Sequence, residues 1–320
     1  MTTAFYSHPD CLLHEMGVWH PESPARLQAI HDHLMSTQLI DSLDFREAPL
    51  ASLKDLGRVH SQALIQSIQN HLPLPDDSAS TKGGPYYAID ADTSLNPYTW
   101  QAALRAAGAA IAATDAVMTG SVHNAFCAIR PPGHHATPSQ SMGFCIFNNV
   151  AIAVRHALDV HGVERVALVD FDVHHGNGTE AALSNEERVL MVSFFQHPLY
   201  PYSGIPAQQE ALPRLINIPV PAYTRGDSIR QLVQEQWLPA LHSHRPEVIF
   251  ISAGFDAHRE DEIASLGLIE DDYAWITRQL MEVADIHSKG RIVSCLEGGY
   301  HLSALARSVS AHLRALADLG

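Results

Sequence analysis

The sequence predicts one α/β domain with a central, mostly parallel sheet and helices on both faces. Short apolar runs alternate with helical patterns along all 320 residues. This alternation is typical of parallel strands joined by helices. Several runs are apolar at every position, which suits strands covered on both faces. Because no repeat, low-complexity tract or long flexible linker divides the chain, we expect residues 1–320 to form a single domain.

Seven strands are predicted from the apolar, β-branched runs. They are Ala4–Tyr6, Ala125–Ile129, Arg165–Phe171, Val189–Phe194, Leu215–Ile218, Glu247–Ser252 and Arg291–Leu296. Capping residues predict helices that begin at Ser23-Pro24 and cover residues 97–120, 148–161, 271–288 and 302–319. The longest irregular segment, residues 72–96, is expected to form the rim of a binding site.

Composition excludes several classes of partner. The net charge is −15 and the pI about 5.7, so the surface does not attract nucleic acid or anionic lipid over a distance. No apolar run reaches the length of a membrane span, and because "MTTAFYSHPD" has no basic region followed by an apolar segment, no signal peptide is expected. The four cysteines form no CxxC pair and are expected to be reduced, buried thiols. A cytoplasmic protein is expected, and a homo-oligomer is left open.

Unusual polar residues follow four of the predicted strands. They are His134 and His135 in "RPPGHHA", Asp172 and His174 in "DFDVHHGNG", Asp256 in "AGFDAHRED", and Tyr300 in "EGGYHL". In a parallel sheet all strands end at one edge, and ligands bind outside those ends. The sequence therefore predicts one site at which these four clusters meet.

The stretch "VDFDVHH" predicts a metal site. Residues two apart in an extended chain face the same side, so Asp170, Asp172 and His174 project together. Asp172 and His174 can bind one cation, with Asp256 arriving from another strand. Two carboxylates and one imidazole suit zinc, and the set also admits iron(II), cobalt(II) or manganese(II). Asp170 is better placed to orient a histidine. The alternative is that each aspartate simply caps a strand end.

The histidine pair and the tyrosine predict proton transfer and oxyanion stabilisation. The turn Pro131–Gly133 can present both His134 and His135 to a cavity, where one ring could accept a proton from water. The alternative is an exposed His-His dipeptide. Gly298 and Gly299 allow an unusual backbone path that could hold the Tyr300 hydroxyl as an oxyanion donor. The alternative for Tyr300 is simple packing.

Two aromatic positions are candidates for the walls of a cleft. Gly143-Phe144 in "SMGFCIFNN" could form an apolar wall, although Phe144 could equally belong to the core. Tyr200, in the proline-rich "HPLYPYSG", could line the same cleft or stand in an ordinary turn.

Five motifs, "RPPGHHA", "GFCIFNN", "VDFDVHHGNGTE", "SAGFDAHRED" and "EGGY", together resemble the zinc-dependent histone deacetylase family. The resemblance is strongest to its class II-like and bacterial amidohydrolase branch. It covers nearly the whole chain, from "HPESPAR" at His20–Arg26 onward. It implies an arginase-like α/β fold with a sheet of about eight strands.

The resemblance also implies roles for individual residues. Asp172, His174 and Asp256 match the zinc ligands, His134 and His135 the catalytic pair, and Tyr300 the residue that polarises the amide carbonyl. Asp170 and Asn177 match partners of the two histidines. Gly143 and Phe144 match one wall of an acyl-lysine tunnel, Tyr200 the opposite wall, and Asp92 a rim residue that grips the substrate backbone. Because the family usually has Phe at the position of Tyr200, we expect a more polar tunnel.

A structural potassium ion is implied as well. The matching groups are the backbone carbonyls of Asp170, Asp172, His174 and Phe194, with the side chains of Asp170 and Ser193. The sequence "SFFQ" departs from the family's more usual Ser-Leu-His, which changes the packing around that site.

The expected reaction is removal of acetyl or related acyl groups from lysine-type amines, in peptides, proteins or small molecules. Polyamine deacetylases of this family carry a carboxylate seven residues after the second ligand aspartate, where this chain has Ile263 beside Glu262. An apolar residue there favours acyl-lysine over acetylpolyamine. Two alternatives are a two-metal ureohydrolase, which needs more ligands than these loops supply, and a non-catalytic acyl-lysine reader, which would be expected to lose a catalytic residue.

Overall fold

The computed structural model describes residues 2–75, 84–205 and 214–319. Within these ranges the strands are β1 (Thr3–Ser7), β2 (Asp44–Glu47), β3 (Tyr87–Ala88), β4 (Ser94–Leu95), β5 (Asn124–Cys127), β6 (Val166–Asp170), β7 (Val189–Gln196), β8 (Leu215–Val220), β9 (Val248–Ala253) and β10 (Ile292–Leu296). Eight of them form one sheet in the order β2-β1-β5-β10-β9-β6-β7-β8, and every neighbouring pair is parallel. The predicted parallel α/β sheet is confirmed.

Helices cover both faces of this sheet. They are α1 (Ala25–Ser36), α2 (Leu53–Leu56), α3 (Gln62–Asn70), α4 (Thr99–Thr119), α5 (Asn149–Val160), α6 (Asn177–Leu183), α7 (Gly226–Leu232), α8 (Leu238–His244), α9 (Glu270–His287) and α10 (Leu302–Leu316). Along β6, Ala167 and Val169 belong to the core cluster that includes residues of α1, α9 and α10, whereas Val166 and Leu168 belong to the cluster that includes residues of α4 and α5. This alternation follows from the two-residue period of a strand, and it explains why the buried strands are apolar throughout.

Helix ends follow the predicted capping residues, with one correction. The Asn148 side chain accepts a hydrogen bond from the amide of Ala151 at 3.0 Å and begins α5. Gly120, in the left-handed conformation at φ 77°, ends α4. The predicted start of α4 at Pro97 was wrong, and the helix begins at Thr99. The Asn96 side chain first closes a turn by accepting a hydrogen bond from the amide of Tyr98 at 3.1 Å.

Two further features differ from the prediction. The edge strand β2 was missed because three of its four residues are charged and its positions alternate between half-buried and exposed, with none of the apolar run that marks the inner strands. The segment 72–96, predicted to be irregular, contains the antiparallel pair β3 and β4, and its residues 76–83 lie outside the described part of the chain. All four cysteines are buried and unpaired, as expected. Among the described helices, none combines the length and apolar character needed to cross a bilayer.

Candidate active site

The four polar clusters meet at one edge of the sheet. They follow β5, β6, β9 and β10, which are consecutive in the order β5-β10-β9-β6 at the centre of the sheet. Because all four strands are parallel, their carboxyl ends lie side by side. The predicted convergence of these clusters is therefore confirmed.

Asp172, His174 and Asp256 form a buried trio. The Nδ1 atom of His174 lies 3.0 Å from Asp172 Oδ1 and 3.2 Å from Asp256 Oδ2. Backbone amides hold both carboxylates: Gly298 donates to Asp172 Oδ2 at 2.8 Å, and Val173 donates to Asp256 Oδ1 at 3.0 Å. Asp256 Oδ2 is buried and accepts no hydrogen bond from any described residue. Such an oxygen is costly to bury unless it binds something.

The trio attracts positive charge. Burial alone would lower the pKa of His174, but the adjacent Asp172 and Asp256 carboxylates raise that pKa to about 9. Burial and the neighbouring Asp172 raise the pKa of Asp256 to about 6. The trio offers two oxygen donors and one nitrogen donor, and Asp256 Oδ2 accepts no hydrogen bond from the described residues. Such a set fits a divalent cation, and the donor types suit zinc.

Glycine is required where the backbone approaches this trio. A Cβ atom on Gly298 would lie 2.0 Å from Asp256 Oδ2 and 2.6 Å from Asp172 Oδ2. Only glycine therefore lets the amide at 298 reach the Asp172 carboxylate. This close approach explains Gly298, and Gly299 is explained by its φ of 116°, which favours glycine.

The two histidines lie beside the trio in different environments. Their ring centroids are 4.1 Å apart. His134 Nδ1 lies 3.0 Å from Asp170 Oδ2, and His135 Nδ1 lies 2.8 Å from the side-chain oxygen Oδ1 of Asn177. The pairing of Asp170 and Asn177 with these rings is as expected.

These environments shift the two pKa values in opposite directions. Burial alone would lower the pKa of His134, but the Asp172 and Asp170 carboxylates raise it well above its usual value. Burial and the positive charge of His134 lower the pKa of His135 well below its usual value. The pair can therefore hold one proton on His134 and keep His135 neutral.

Glu297, which the sequence reasoning missed, fixes the turn that carries both histidines. Its Oε2 atom accepts from the amides of Gly133 at 2.7 Å and His134 at 3.1 Å. Glu297 is fully buried, and burial raises its pKa to about 7. The signal that could have found it is a glutamate at the end of a buried strand in "CLEGGY".

Tyr300 is held by its backbone and by its ring. Asp261 Oδ2 accepts from the amides of Tyr300 at 2.6 Å and His301 at 3.0 Å. The Tyr300 ring meets the Phe144 ring edge-on at 5.7 Å and lies under the guanidinium of Arg26 at 4.9 Å. Burial raises the pKa of the Tyr300 hydroxyl well above its usual value, so the hydroxyl remains a donor. The role of Asp261 was also missed from the sequence.

A buried ionic network lies beneath this loop. Arg26 donates to the carbonyls of Gly299 at 2.7 Å and Glu297 at 2.5 Å. Glu22 joins Arg26 to Arg130, with Oε1 at 3.1 Å from Arg26 Nη1 and Oε2 at 2.6 Å from Arg130 Nη2. The sequence reasoning used "HPESPAR" only as part of a resemblance, because charged residues in a loop give no sign that they will be buried.

A narrow cavity of about 250 Å³ leads to the trio. It is lined by Asp92, His135, Gly143, Phe144, His174, Leu199, Tyr200, Tyr202, Ile263 and Tyr300. A Cβ atom on Gly143 would lie 2.5 Å from the His135 ring and 3.0 Å from the Tyr200 ring, so glycine keeps the cavity open. All predicted wall residues lie here, and Leu199 and Tyr202 are additional. A wider groove of about 810 Å³ contains none of the clustered groups.

The residues of the expected potassium site also lie together. Asp170 is the register partner of Ser193 on β7, and the Gln196 amide donates to the Val173 carbonyl at 2.9 Å, so residues 172–174 run beside the end of β7. The Ser193 hydroxyl donates to the side-chain oxygen of Asn217 at 2.8 Å. Asn217 is a neighbour that the sequence reasoning did not include.

Within the described residues, this edge offers a single cluster of three metal-ligating side chains. A ureohydrolase site with two metals needs more ligands than that.

Comparisons with known proteins agree with this geometry. The family model of the histone deacetylase domain matches residues 20–316 of this chain. The chain is 37% identical over 319 residues to the histone deacetylase-like amidohydrolase of Pseudomonas aeruginosa, covering 93% of this chain and 81% of that protein.

Two further comparisons bear on substrate and fold. The chain is 34% identical over 317 residues to the mouse (Mus musculus) protein named polyamine deacetylase HDAC10, covering 96% of this chain and 45% of that protein. A crystal structure of the HDA15 HD domain superposes with a TM-score of 0.89 at 30% identity, covering 99% of this chain and 88% of that one.

Proposed function

The chain belongs to the histone deacetylase family, and on this premise we propose that it is a zinc-dependent amidohydrolase that removes acetyl or related acyl groups from lysine-type amines. The observation that carries the proposal is the buried trio of Asp172, His174 and Asp256 beside a histidine pair, at the end of a narrow cavity. A cytoplasmic location and a structural potassium ion at the ends of β6 and β7 are further parts of the proposal.

Asp172, His174 and Asp256 would hold the zinc ion, which when bound supplies Lewis acidity toward the amide carbonyl and lowers the pKa of water. The neutral His135, held by Asn177, accepts a proton from the attacking water. The pair then returns this proton to the leaving amine, while the Asp170 and Asp172 carboxylates balance the positive charge on His134. The Tyr300 hydroxyl donates a hydrogen bond to the oxyanion that develops on the former amide oxygen. The products are a free amine and a carboxylate.

The cavity favours an acyl-lysine arm. Phe144 and Tyr200 line a channel so narrow that a methyl group on Gly143 would clash with the His135 and Tyr200 rings. Such a channel suits an unbranched alkyl chain that ends in an amide. Asp92 at its mouth can accept a hydrogen bond from the amide of a peptide backbone, and Ile263 offers no charge to a second amine.

A second candidate substrate is an acetylpolyamine. It is favoured by the net charge of −15 and by the mouse relative named a polyamine deacetylase. Glu262, next to Ile263, lines a neighbouring cavity rather than the channel itself. A carboxylate outside the channel gives a protonated polyamine weaker electrostatic stabilisation than one inside it.

A panel assay of the zinc-loaded protein separates these substrates. Acetyl-, longer acyl- and trifluoroacetyl-lysine peptides are compared with acetylspermidine at equal concentrations. We expect the peptides to have the higher kcat/KM. Acetylspermidine turnover a hundredfold above peptide turnover would make the substrate assignment wrong. The absence of turnover with every amide would reject the proposed amidohydrolase activity.

Variants at Ile263 sharpen this comparison. Ile263→Glu places a carboxylate in the channel and should raise kcat/KM for acetylspermidine relative to the peptide. Ile263→Gln has nearly the same shape without the charge and should leave that ratio close to the wild-type value. Equal effects of the two variants would show that charge at position 263 does not select the substrate.

A further inference from the structure

A second cluster of metal-ligating side chains lies at the opposite edge of the sheet. Asp115 lies near the end of α4, His156 on the last turns of α5, and His161 directly after α5. β5 and β6 begin just after these helix ends, at Asn124 and Val166. The cluster is therefore at the edge where strands start, whereas the candidate active site is at the edge where they end.

The three side chains converge on one point. The Nε2 atoms of His156 and His161 each lie 2.7 Å from the same oxygen, Asp115 Oδ1. Their ring centroids are 5.5 Å apart, and the ring planes meet at 72°. All three ligand atoms lie within 4.8 Å of one another. Among the described residues, the only other cluster with this geometry is Asp172, His174 and Asp256.

The end of α5 makes this convergence possible. Residues five apart on a straight helix point about 140° away from each other. His161, however, is the residue that caps α5, with φ −95° and ψ −5°, and Gly162 follows in the left-handed conformation at φ 66°. The chain therefore turns out of the helix at His161, and the ring returns over the last turn toward His156.

Burial and access suit a bound cation. His156 is 7% exposed, and the His161 side chain is 19% exposed. The Asp115 side chain is 50% exposed, so the cluster opens to solvent through its carboxylate. His156 Nδ1 is buried without a hydrogen-bond partner among the described residues. Nε2, which faces Asp115, is the nitrogen of His156 that a metal would bind, and the ring proton would then be on Nδ1.

Positive charges near the cluster are neutralised. Arg155 on α5 pairs with Glu186 at 2.7 Å, and Arg58 pairs with Asp159, also on α5, at 2.8 Å. Neither guanidinium is paired with Asp115. The carboxylate is therefore shared only by the two imidazoles among its described partners.

We propose that Asp115, His156 and His161 form a second zinc site, which joins the end of α4 to the end of α5. Two imidazoles and one carboxylate are ordinary zinc ligands, and water would complete the coordination. Ligand atoms around a tetrahedral zinc lie about 3.3 Å apart, so each imidazole must move outward by only about 0.6 Å. This site is structural, and it does not depend on the proposed enzymatic function.

Zinc stoichiometry tests the site. Purified full-length protein is stripped of metal, dialysed against zinc and analysed by inductively coupled plasma mass spectrometry. The variants are His161→Gln, Asp115→Asn, Asp256→Asn and the double variant with His161→Gln and Asp256→Asn. His31→Gln is the matched control, because His31 also lies near a carboxylate, Asp32 at 3.8 Å, but has no third ligand.

We expect two zinc ions per chain in the wild type and in His31→Gln. His161→Gln, Asp115→Asn and Asp256→Asn should each bind one, and the double variant none. His161→Gln should turn over an acetyl-lysine peptide at the wild-type rate. If His161→Gln binds as much zinc as the wild type, the second site does not exist. A wild type with one zinc ion that His161→Gln loses and Asp256→Asn keeps would support this site and reject the active-site metal.

Thermal unfolding gives an independent readout. In the Asp256→Asn background, zinc should raise the Tm, because a ligand that binds only the folded state stabilises it by mass action. Adding His161→Gln to that background should abolish the rise, while both proteins keep the same circular dichroism spectrum. An equal rise in both proteins would overturn the proposal.

Discussion

At this site, the protonation state of a residue depends on the side chains that it contacts. His134 and His135 are neighbours in sequence and differ chemically because one faces Asp170 and Asp172 while the other faces Asn177. An ionised carboxylate favours a protonated ring, whereas a neutral amide leaves the ring free to accept a proton. Opposite environments of this kind are what acid–base catalysis requires.

Tyr300→Phe tests the oxyanion role. The variant keeps the ring against Phe144 and Arg26 and loses only the hydroxyl. We expect it to fold and bind zinc as the wild type does, with kcat lower by about 10²–10³, as for loss of an oxyanion donor. The measurement is kcat on an acetyl-lysine peptide together with zinc content.

Tyr200→Phe is the matched control, since Tyr200 lines the same cavity. Removing its hydroxyl should leave kcat within a few-fold of the wild type. Full activity in Tyr300→Phe would remove Tyr300 from the mechanism.

The sequence identified some of these residues better than others. Asp172, His174 and Asp256 were found because carboxylates and imidazoles directly after apolar strands are expensive to bury without a function. Glu297 and Asp261 were missed because they act through backbone amides, and a carboxylate that accepts from an amide gives no spacing pattern. Such a role depends on where the carboxylate lies in the folded chain, and the spacing of residues in the sequence does not give that location.

At the scale of elements, a buried ionic network fixes the loops around the site. Glu22 precedes α1, Arg26 lies in its first turn, and Arg130 follows β5. Arg26 also holds the loop after β10 through the carbonyls of Glu297 and Gly299. Burial alone would raise the pKa of Glu22, but Arg130 and Arg26 lower it to about 2.

Glu22→Gln tests how much this network contributes to the free energy of unfolding. The variant leaves two fully buried guanidinium groups without their counter-charge, and breaking a buried pair in this way typically costs about 3–5 kcal/mol. We expect the free energy of unfolding in urea at neutral pH to fall by that amount. Asp44→Asn, which breaks the half-exposed pair of Asp44 with Arg46, should cost about 1 kcal/mol or less. Equal losses in the two variants would contradict the network's role.

The sequence predicted the buried strands and long helices better than the exposed or short elements. The six inner strands were found because strands covered on both faces are continuous apolar runs, and the edge strand β8 was found from its shorter apolar run. The edge strand β2, the short strands β3 and β4, and the short helices α2, α3, α6, α7 and α8 were missed. β2 is stabilised by pairing with β1, as the register of Ala4 with Asp44 shows, and this long-range contact has no local pattern.

At the scale of the whole molecule, buried neutral histidines make stability depend on pH. Burial lowers the pKa of His312 to about 3 and that of His60 to about 4. In the unfolded chain these rings titrate near 6.5, so below that pH the unfolded state binds more protons than the folded state. The contribution of these two histidines to stability should therefore fall as the pH falls from about 6.5 toward 3.

His312→Asn measures this contribution. Between about pH 7.5 and pH 5, His312 alone should account for about 2 kcal/mol of the lost stability. Urea unfolding should therefore show a smaller pH-dependent loss in His312→Asn than in the wild type. The exposed His31→Asn should lose as much stability as the wild type. A loss in His312→Asn equal to that of the wild type would contradict the assignment.

The two edges of the sheet divide the molecule into regions with different roles. The edge where strands end carries the channel, the histidine pair and the trio, while the edge where strands begin carries the proposed structural site. A change at one edge should therefore leave the other unaffected. This independence allows the catalytic metal to be tested by itself in His161→Gln protein.

The decisive measurement is acetate release from an acetyl-lysine peptide as zinc is titrated into metal-free His161→Gln protein. Turnover should be absent without zinc, rise in proportion to the zinc added and level off at one ion per chain. Asp256→Asn added to this protein should remain inactive at every zinc concentration. Full turnover in the metal-free protein, or in the protein that lacks the Asp256 carboxylate, would contradict a metal-activated amide hydrolysis at this site.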